Sequence, residues 1–111
     1  MHILQLIKRN QEGFIKLCVK YKVDKLYAFG SSVTDQFDKA KSDIDLVIKM
    51  NITDPMEYGE ALMSFWDEIE SFFGKKVDLL TDESIKNPYL RKSIEATKKL
   101  IYDGQRAEVS V

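Results

Sequence analysis

The chain has 111 residues, of which 44% are hydrophobic, an amount that suits one globular core rather than two. Seventeen Lys and Arg residues against eighteen Asp and Glu residues give a net charge of -1, which excludes nucleic-acid binding through a generally basic surface. The single cysteine, Cys18, excludes an internal disulfide, and no apolar run approaches the roughly 18 residues of a membrane span. We therefore expect one cytoplasmic domain over residues 1–111, with no membrane partner.

The first 22 residues are predicted to be helical, because apolar side chains recur there at three- and four-residue spacings. The polar residues 10–12 and Gly13 leave open whether this segment is one helix or two short ones. The aromatic-rich run at 24–30 ends on a glycine and predicts a strand that leads into a turn. A second strand is predicted at 42–50.

The helix that follows has the clearest boundary signals in the chain. Asp54 can cap its start, Pro55 suits the first helical position, and Glu57 completes an Asp-x-x-Glu capping box. Gly74 suits its end. The apolar stripe of this helix predicts core packing, with Trp66 at its margin, where stacking on a nucleobase is the less favoured alternative.

The C-terminal third is predicted to contain a strand at 75–81 and a last helix from Pro88, capped by Asn87, to Gly104. Residues 105–111 carry no strong signal and are treated as a tail. The element order predicts an α/β (α+β) domain in which helices flank a small mixed sheet of three to four strands. Residues 23–104 would form its core unit.

Two aspartates open the second predicted strand. Because side chains alternate along a strand, Asp43 and Asp45 would point to the same face, with Cα atoms roughly 6 to 7 Å apart. Two carboxylates held that close repel each other, so they favour a bound cation. Their hard oxygens suit Mg²⁺ or Mn²⁺, which commonly complete their coordination with water and substrate phosphates.

A third carboxylate, Asp78, interrupts the apolar strand at 75–81. A charge in a buried strand is costly unless it is paired or coordinated. If this strand lies beside 42–50, the three aspartates converge and could hold two ions about 4 Å apart, as in two-metal phosphoryl transfer.

A Gly-Ser pair, Gly30 and Ser31, follows the first predicted strand and offers a phosphate site. Glycine lets the backbone approach a phosphate closely, and N–H groups at the start of a following helix bind anions. Alone, the pair is weak evidence. Its combination with Asp43-x-Asp45 and Asp78 in successive strands favours a site for a nucleoside triphosphate.

The string "FGSSVTDQFDKAKSDIDLVI" resembles the Gly-Ser and Asp-x-Asp signature of the polymerase-beta-like nucleotidyltransferase superfamily, and the chain is similar to its minimal nucleotidyltransferase (MNT) branch. The resemblance implies that Gly30, Ser31 and Ser32 bind the nucleotide. It further implies that Asp43, Asp45 and Asp78 are catalytic and hold two Mg²⁺ or Mn²⁺ ions. Residues 33–35 replace an arginine-glycine pair found in many relatives.

The resemblance implies an adenylyltransferase that moves AMP from ATP to an acceptor hydroxyl, with a helical HEPN-type toxin as partner and the chain as its antitoxin. Because 111 residues cover only the catalytic core, we expect the acceptor to come in trans. Two alternatives remain open: a non-catalytic module that masks a partner, and a transferase for a small molecule of the aminoglycoside type. A homo-oligomer is also left open.

Overall fold

A computed structural model of the protein describes residues 2–33 and 43–109. The elements, in chain order, are α1 (His2–Lys8), α2 (Gln11–Lys20), β1 (Val23–Phe29), a 3₁₀ turn (Gly30–Val33), β2 (Ile44–Met50), α3 (Pro55–Phe73), β3 (Val77–Thr81), a second 3₁₀ turn (Asp82–Ser84), α4 (Pro88–Thr97), β4 (Lys99–Asp103) and β5 (Glu108–Val109). Among the helices in these two ranges, none has the length and apolar character that crossing a membrane requires.

The five strands form one sheet in the order β3-β2-β1-β4-β5. Only the β2–β3 pair is parallel, since α3 carries the chain back across the sheet between them, and the other three pairs are antiparallel. The prediction of a mixed sheet flanked by helices is therefore confirmed. Within residues 2–33 and 43–109 the strand count is five rather than three to four.

The larger core lies on the face of the sheet that α1, α2 and α3 cover, which we call the three-helix face. Phe14 of α2 and Phe65 and Ile69 of α3 are fully buried there against Leu26 and Leu46 of the sheet. The buried Cys18 belongs to the same cluster. Burial also raises the pKa of its thiol, so Cys18 behaves as a small apolar core residue.

A smaller cluster lies on the opposite face, which we call the α4 face. Its buried members are Phe29 of β1, Val47 of β2, Ile85 just after the second 3₁₀ turn and Ile94 of α4, with Tyr27 and Leu80 packed against them. Because residues alternate along a strand, Asp45 shares this face with Val47. The α4 face therefore combines a minor apolar cluster with the carboxylates of the candidate site.

The boundaries of α3 confirm the sequence prediction. The Asp54 side chain accepts a hydrogen bond from the Glu57 N–H at 3.0 Å, Pro55 is the first helical residue, and the helix ends at Gly74 in the left-handed conformation (φ 65°). Trp66 packs against the three-helix core and its indole Nε1–H donates to the Val77 carbonyl at 2.7 Å. The core interpretation of Trp66 is thus confirmed.

The N-terminal segment resolves into two helices. Asn10 separates them and caps α2, since its side chain accepts a hydrogen bond from the Gly13 N–H at 3.1 Å. The polar stretch that left the helix count open is therefore a helix start.

The predicted last helix, from Pro88 to Gly104, is wrong in its second half. Asn87 caps α4 as expected, but the helix ends at Thr97 and residues 99–103 form β4 beside β1. Gly104 follows this strand, where a Cβ atom would collide with the Val23 carbonyl oxygen. Part of the expected tail is also a strand, because Glu108 and Val109 pair with β4.

Candidate active site

The candidate site begins at Gly30, where β1 ends. Gly30 has φ of 62°, a left-handed conformation that other residues adopt only with strain. A Cβ atom built there would lie 3.1 Å from Oδ2 of Asp45. Glycine is therefore required for both the turn and the close approach of this carboxylate.

Ser32 lies inside the turn rather than on its surface. Ser32 is only 1% exposed, and its Oγ accepts a hydrogen bond from the Asp45 backbone N–H at 2.9 Å. This bond joins the turn to the start of β2. The contact favours a positioning role for Ser32, whereas nucleotide binding by its hydroxyl stays a prediction.

Thr97, the last residue of α4, contacts the same turn. Its Oγ1 accepts a hydrogen bond from the Gly30 N–H at 3.1 Å and donates one to the Ser93 carbonyl at 3.0 Å. No role for Thr97 follows from the sequence pattern. The partners are 67 residues apart, so no local pattern could have revealed the contact.

The carboxylates come together across the β2–β3 pair. Asp45 is the register partner of Asp78 in this parallel pair, so the condition under which the sequence predicts that the aspartates converge is met. Burial, followed by the charges of Asp78 and Asp43, raises the pKa of Asp45 from 3.8 to about 6. A hydrogen bond with the Asp78 side chain contributes in the same direction. The three aspartates therefore form one coupled acidic cluster.

Two details of this cluster differ from the sequence expectation. Asp78 is exposed rather than buried, because β3 is an edge strand of the sheet and its residue pattern alternates between core and solvent. Asp43 immediately precedes β2, which begins at Ile44, so it is not a strand residue. Asp78 therefore lies exposed on the edge strand, and Asp45 lies beside it on β2.

Some of the predicted site lies outside the described residues. This is so for the side chain of Ser31 and for Thr34 and Asp35, which stand in the sequence in place of the arginine-glycine pair. Val33 is described, and it packs against the three-helix core.

The cluster fits a divalent cation in its chemistry. The Asp45 and Asp78 side chains form a hydrogen bond, and a divalent cation would bind between their hard oxygens in place of that contact. Within residues 2–33 and 43–109, however, no group of three His, Cys, Asp or Glu side chains meets the criteria for a metal site. A cation here would therefore take part of its coordination from substrate phosphates and water, as Mg²⁺ commonly does.

A cavity of about 470 Å³ lies farther along the α4 face. Its walls include Tyr27, Val47 and Lys49 from the sheet and Glu95 and Lys98 from the end of α4. The Lys98 ammonium lies 4.9 Å from the Tyr27 ring centroid and 3.1 Å from the Glu95 carboxylate. The three aspartates do not line this cavity, so it is separate from the acidic cluster.

Comparison with known families gives a match to the nucleotidyltransferase domain over residues 13–101. Curated relatives come from Methanocaldococcus jannaschii. The protein named "Putative protein adenylyltransferase MJ1379" is 39% identical over 75% of this chain and 79% of its own length. A second, "Putative protein adenylyltransferase MJ0126", is 33% identical over 90% of this chain and 93% of its own length.

Solved structures share the fold. A chain of a toxin–antitoxin complex with AMP-PNP has a TM-score of 0.62 at 23% identity, covering 87% of this chain and 76% of that one. A chain from the Shewanella oneidensis complex of tri-AMPylated HEPN toxin with MNT antitoxin has a TM-score of 0.56 at 22% identity, covering 89% and 74%. The "Structure of putative minimal nucleotidyltransferase" has a TM-score of 0.59 at 18% identity, covering 86% and 93%.

Proposed function

The chain belongs to the nucleotidyltransferase domain family, and from that premise we propose that it transfers AMP from ATP to a hydroxyl group of a partner protein. The observation that carries the proposal is the Asp45–Asp78 pair beside the glycine turn. An acidic pair alone is common on protein surfaces. Here Gly30 and Ser32 hold the turn against Asp45. A backbone suited to binding anions therefore lies beside carboxylates suited to binding cations.

In this proposal the turn at Gly30 and Ser31 receives the triphosphate, and Asp43, Asp45 and Asp78 would hold two Mg²⁺ or Mn²⁺ ions. When bound, the ions would neutralise charge on the transferred phosphoryl group and on the departing pyrophosphate. Ser32 keeps the Asp45 backbone fixed through its buried hydrogen bond. Preorganisation of this kind spares the site from rearranging at the moment of reaction.

The reaction breaks the bond between the α-phosphorus and the bridging oxygen of pyrophosphate and forms a bond from that phosphorus to the acceptor oxygen. The proton of the acceptor hydroxyl goes to a carboxylate of the cluster. Asp78 suits this task, because it is exposed at the sheet edge and lies opposite Asp45.

A partner protein is the proposed acceptor for two reasons. The curated relatives carry names of protein adenylyltransferases. Chains of similar fold occur in complexes of a HEPN toxin with its MNT antitoxin, one of which holds a tri-AMPylated toxin. We therefore propose a helical HEPN-type toxin as the partner and the present chain as its antitoxin.

The test is to incubate the protein with ATP labelled on the α-phosphate, Mg²⁺ and the product of the neighbouring gene. We expect label on the neighbour, and we expect Asp45→Asn and Asp78→Asn to abolish it. Asp67→Asn, at an exposed position on α3, is the matched control and should transfer label like the wild type. Omission of Mg²⁺ should stop transfer in every variant.

Two results would contradict the proposal. Label transfer that survives both site substitutions would remove the acidic cluster from the chemistry. If the neighbour is neutralised equally well by Asp45→Asn and by wild type, the chain acts by masking its partner, and the enzymatic account of its biological role is wrong.

A further inference from the structure

The C-terminal end of α4 is connected to the glycine turn by a side-chain hydrogen bond. Thr97 is the last residue of α4, and the chain turns directly after it into β4. Its Oγ1 lies 3.1 Å from the Gly30 nitrogen. A residue from the C-terminal part of the chain thus contacts the turn on which the triphosphate is proposed to bind.

The direction of each hydrogen bond follows from the chemistry of a hydroxyl group, which has one proton to donate and lone pairs to accept. Thr97 donates its proton to the Ser93 carbonyl one helical turn earlier, at 3.0 Å. Its oxygen is then left as an acceptor, and the Gly30 N–H points at it. The hydroxyl therefore bridges the last turn of α4 and the glycine turn.

Gly30 is constrained by both its backbone conformation and its neighbour Asp45. Its φ of 62° and the nearby Oδ2 of Asp45 leave little freedom for the turn to shift without moving the carboxylate. Two hydrogen bonds hold the turn. Ser32 Oγ accepts one from the Asp45 N–H, and Thr97 Oγ1 accepts one from the Gly30 N–H. The first fixes the carboxylate strand, and the second fixes the phosphate-binding backbone.

We propose that Thr97 is a positioning residue for nucleotide binding, acting through its hydrogen bond to the Gly30 N–H. The inference rests on the proposed function, because it assigns Thr97 to the same triphosphate site. It also implies that the Gly30 N–H donates to Thr97 and not to a phosphate, so that this bond orients the turn.

The experiment compares Thr97→Val, which keeps the side-chain volume but removes the hydroxyl, with Thr97→Ser, which keeps the hydroxyl. Affinity for ATP and for its α,β-methylene analogue with Mg²⁺ is measured by calorimetry, alongside the KM for ATP and kcat of label transfer. Loss of one hydrogen bond is expected to raise Kd and KM about 3- to 10-fold in Thr97→Val with kcat nearly unchanged.

A direct readout of the bond is hydrogen exchange of the Gly30 amide, followed by NMR in the protein without nucleotide. We expect faster exchange in Thr97→Val than in wild type and near wild-type exchange in Thr97→Ser. Thr53→Val, at an exposed position before α3, is the matched control and should change neither readout. Thr97→Ala serves in place of Thr97→Val if urea unfolding shows that the valine variant is not folded.

Wild-type nucleotide affinity in Thr97→Val, equal impairment in Thr97→Ser, or unchanged Gly30 exchange would each overturn the inference. A wild-type protein that neither binds nucleotide nor transfers label would instead overturn the proposed function. In that case the Gly30 exchange rates still decide whether Thr97 holds the turn. The two failures are therefore distinguishable.

Discussion

The two faces of the sheet differ in the size of their apolar clusters and in their charge. On the three-helix face, large apolar side chains such as Phe14 and Phe65 are fully buried beneath three helices. On the α4 face, a smaller apolar cluster around Phe29 and Ile94 lies beside three mutually repelling carboxylates. Because successive side chains of a strand point to opposite faces, each strand contributes residues to both faces in turn.

This division explains how so small a domain tolerates an unfavourable cluster of charges. Burial of apolar surface on the three-helix face supplies the main stabilisation, at about 25 cal/mol per Å² of apolar surface removed from water. The α4 face can then hold Asp45 in a state that burial and neighbouring charges both oppose. The comparison predicts that substitutions on the first face change stability, and those on the second change activity.

The largest effect should come from Phe65→Ala on the three-helix face. Phe65 is fully buried in α3, so its truncation leaves a cavity and should lower the free energy of unfolding by about 3–5 kcal/mol. Urea unfolding followed by circular dichroism measures this change. The activity of the fraction that remains folded should equal that of wild type, since Phe65 lies on the face opposite the carboxylates.

The matched control for Phe65→Ala is Met63→Ala on the same helix. Met63 is 65% exposed, so its truncation should change the free energy of unfolding by no more than about 0.5 kcal/mol. Similar losses for both variants would show that the helix, rather than the buried face, determines the stability.

On the α4 face, Asp45→Asn should have the opposite effect. We expect label transfer to fall at least about 100-fold, the size typical for loss of one preorganised electrostatic contact. At pH 7.5 the unfolding free energy should rise, because the neutral amide removes repulsion with Asp43 and Asp78. A variant that loses both activity and stability would contradict the division between the faces.

The same carboxyl gives a pH dependence whose sign is fixed by its pKa. The pKa of Asp45 is about 6 in the folded protein against an ordinary value of 3.8, so the folded state holds the proton more tightly. Its stabilising contribution is fully present below pH 3.8 and is lost as pH rises through about 6. Allowing for partial solvent screening, we expect about 1–2 kcal/mol.

This contribution is measured as the difference in unfolding free energy between wild type and Asp45→Asn, in EDTA, at pH 4 and pH 7.5. The difference between the two proteins should be larger at pH 7.5, in favour of the asparagine variant. Subtraction removes the titration of the carboxyl groups that lie away from Asp45, which is the same in both proteins. A difference that does not change with pH would show that Asp45 is not coupled to its neighbours.

Ser32→Ala tests the bond that joins the turn to β2. Its buried hydroxyl accepts from the Asp45 N–H, so we expect a loss of about 1–2 kcal/mol in stability, since the donor is left unpaired. A fall in kcat with little change in KM for ATP would show that it positions the carboxylate. Ser64→Ala, at an exposed position on α3, should leave both quantities at their wild-type values.

The sequence predicted those features that depend on neighbouring residues. The limits of α3 follow from Asp54, Pro55 and Gly74, each of which acts within one helical turn of the boundary. The convergence of Asp45 and Asp78 was predicted only on the condition that their strands lie side by side, and the structure meets this condition because α3 carries the chain into a parallel pair.

The features that sequence reasoning missed depend on contacts between distant parts of the chain. Ile101 continues the three- and four-residue spacing of α4, yet the backbone beyond Thr97 pairs with β1 and becomes a strand. In the same way, the Thr97 contact joins residues 67 positions apart and the Ser32 contact joins residues 13 apart. Tertiary pairing overrode local periodicity in the first case, and no local pattern existed in the others.

The smallest effect on stability should come from alanine substitutions at two glycines that share a conformation but differ in their surroundings. Gly74 caps α3 with φ of 65°, and no atom lies within 4 Å of the position its Cβ would take. Gly74→Ala should therefore cost only backbone strain, about 1 kcal/mol, with unchanged label transfer. Urea unfolding and the transfer assay measure the two quantities on the same preparation.

Gly30→Ala introduces the same strain, since φ is 62°, but its new methyl group would also lie 3.1 Å from Oδ2 of Asp45. We therefore expect a loss of stability similar to that of Gly74→Ala, within about 1 kcal/mol, together with a clear loss of label transfer. Equal activity in the two variants would mean that the approach of Asp45 to the turn has no role in the reaction. Because the backbone strain is shared, a difference in activity between the two variants reports on the glycine turn and the Asp45 carboxylate beside it, not on left-handed strain in general.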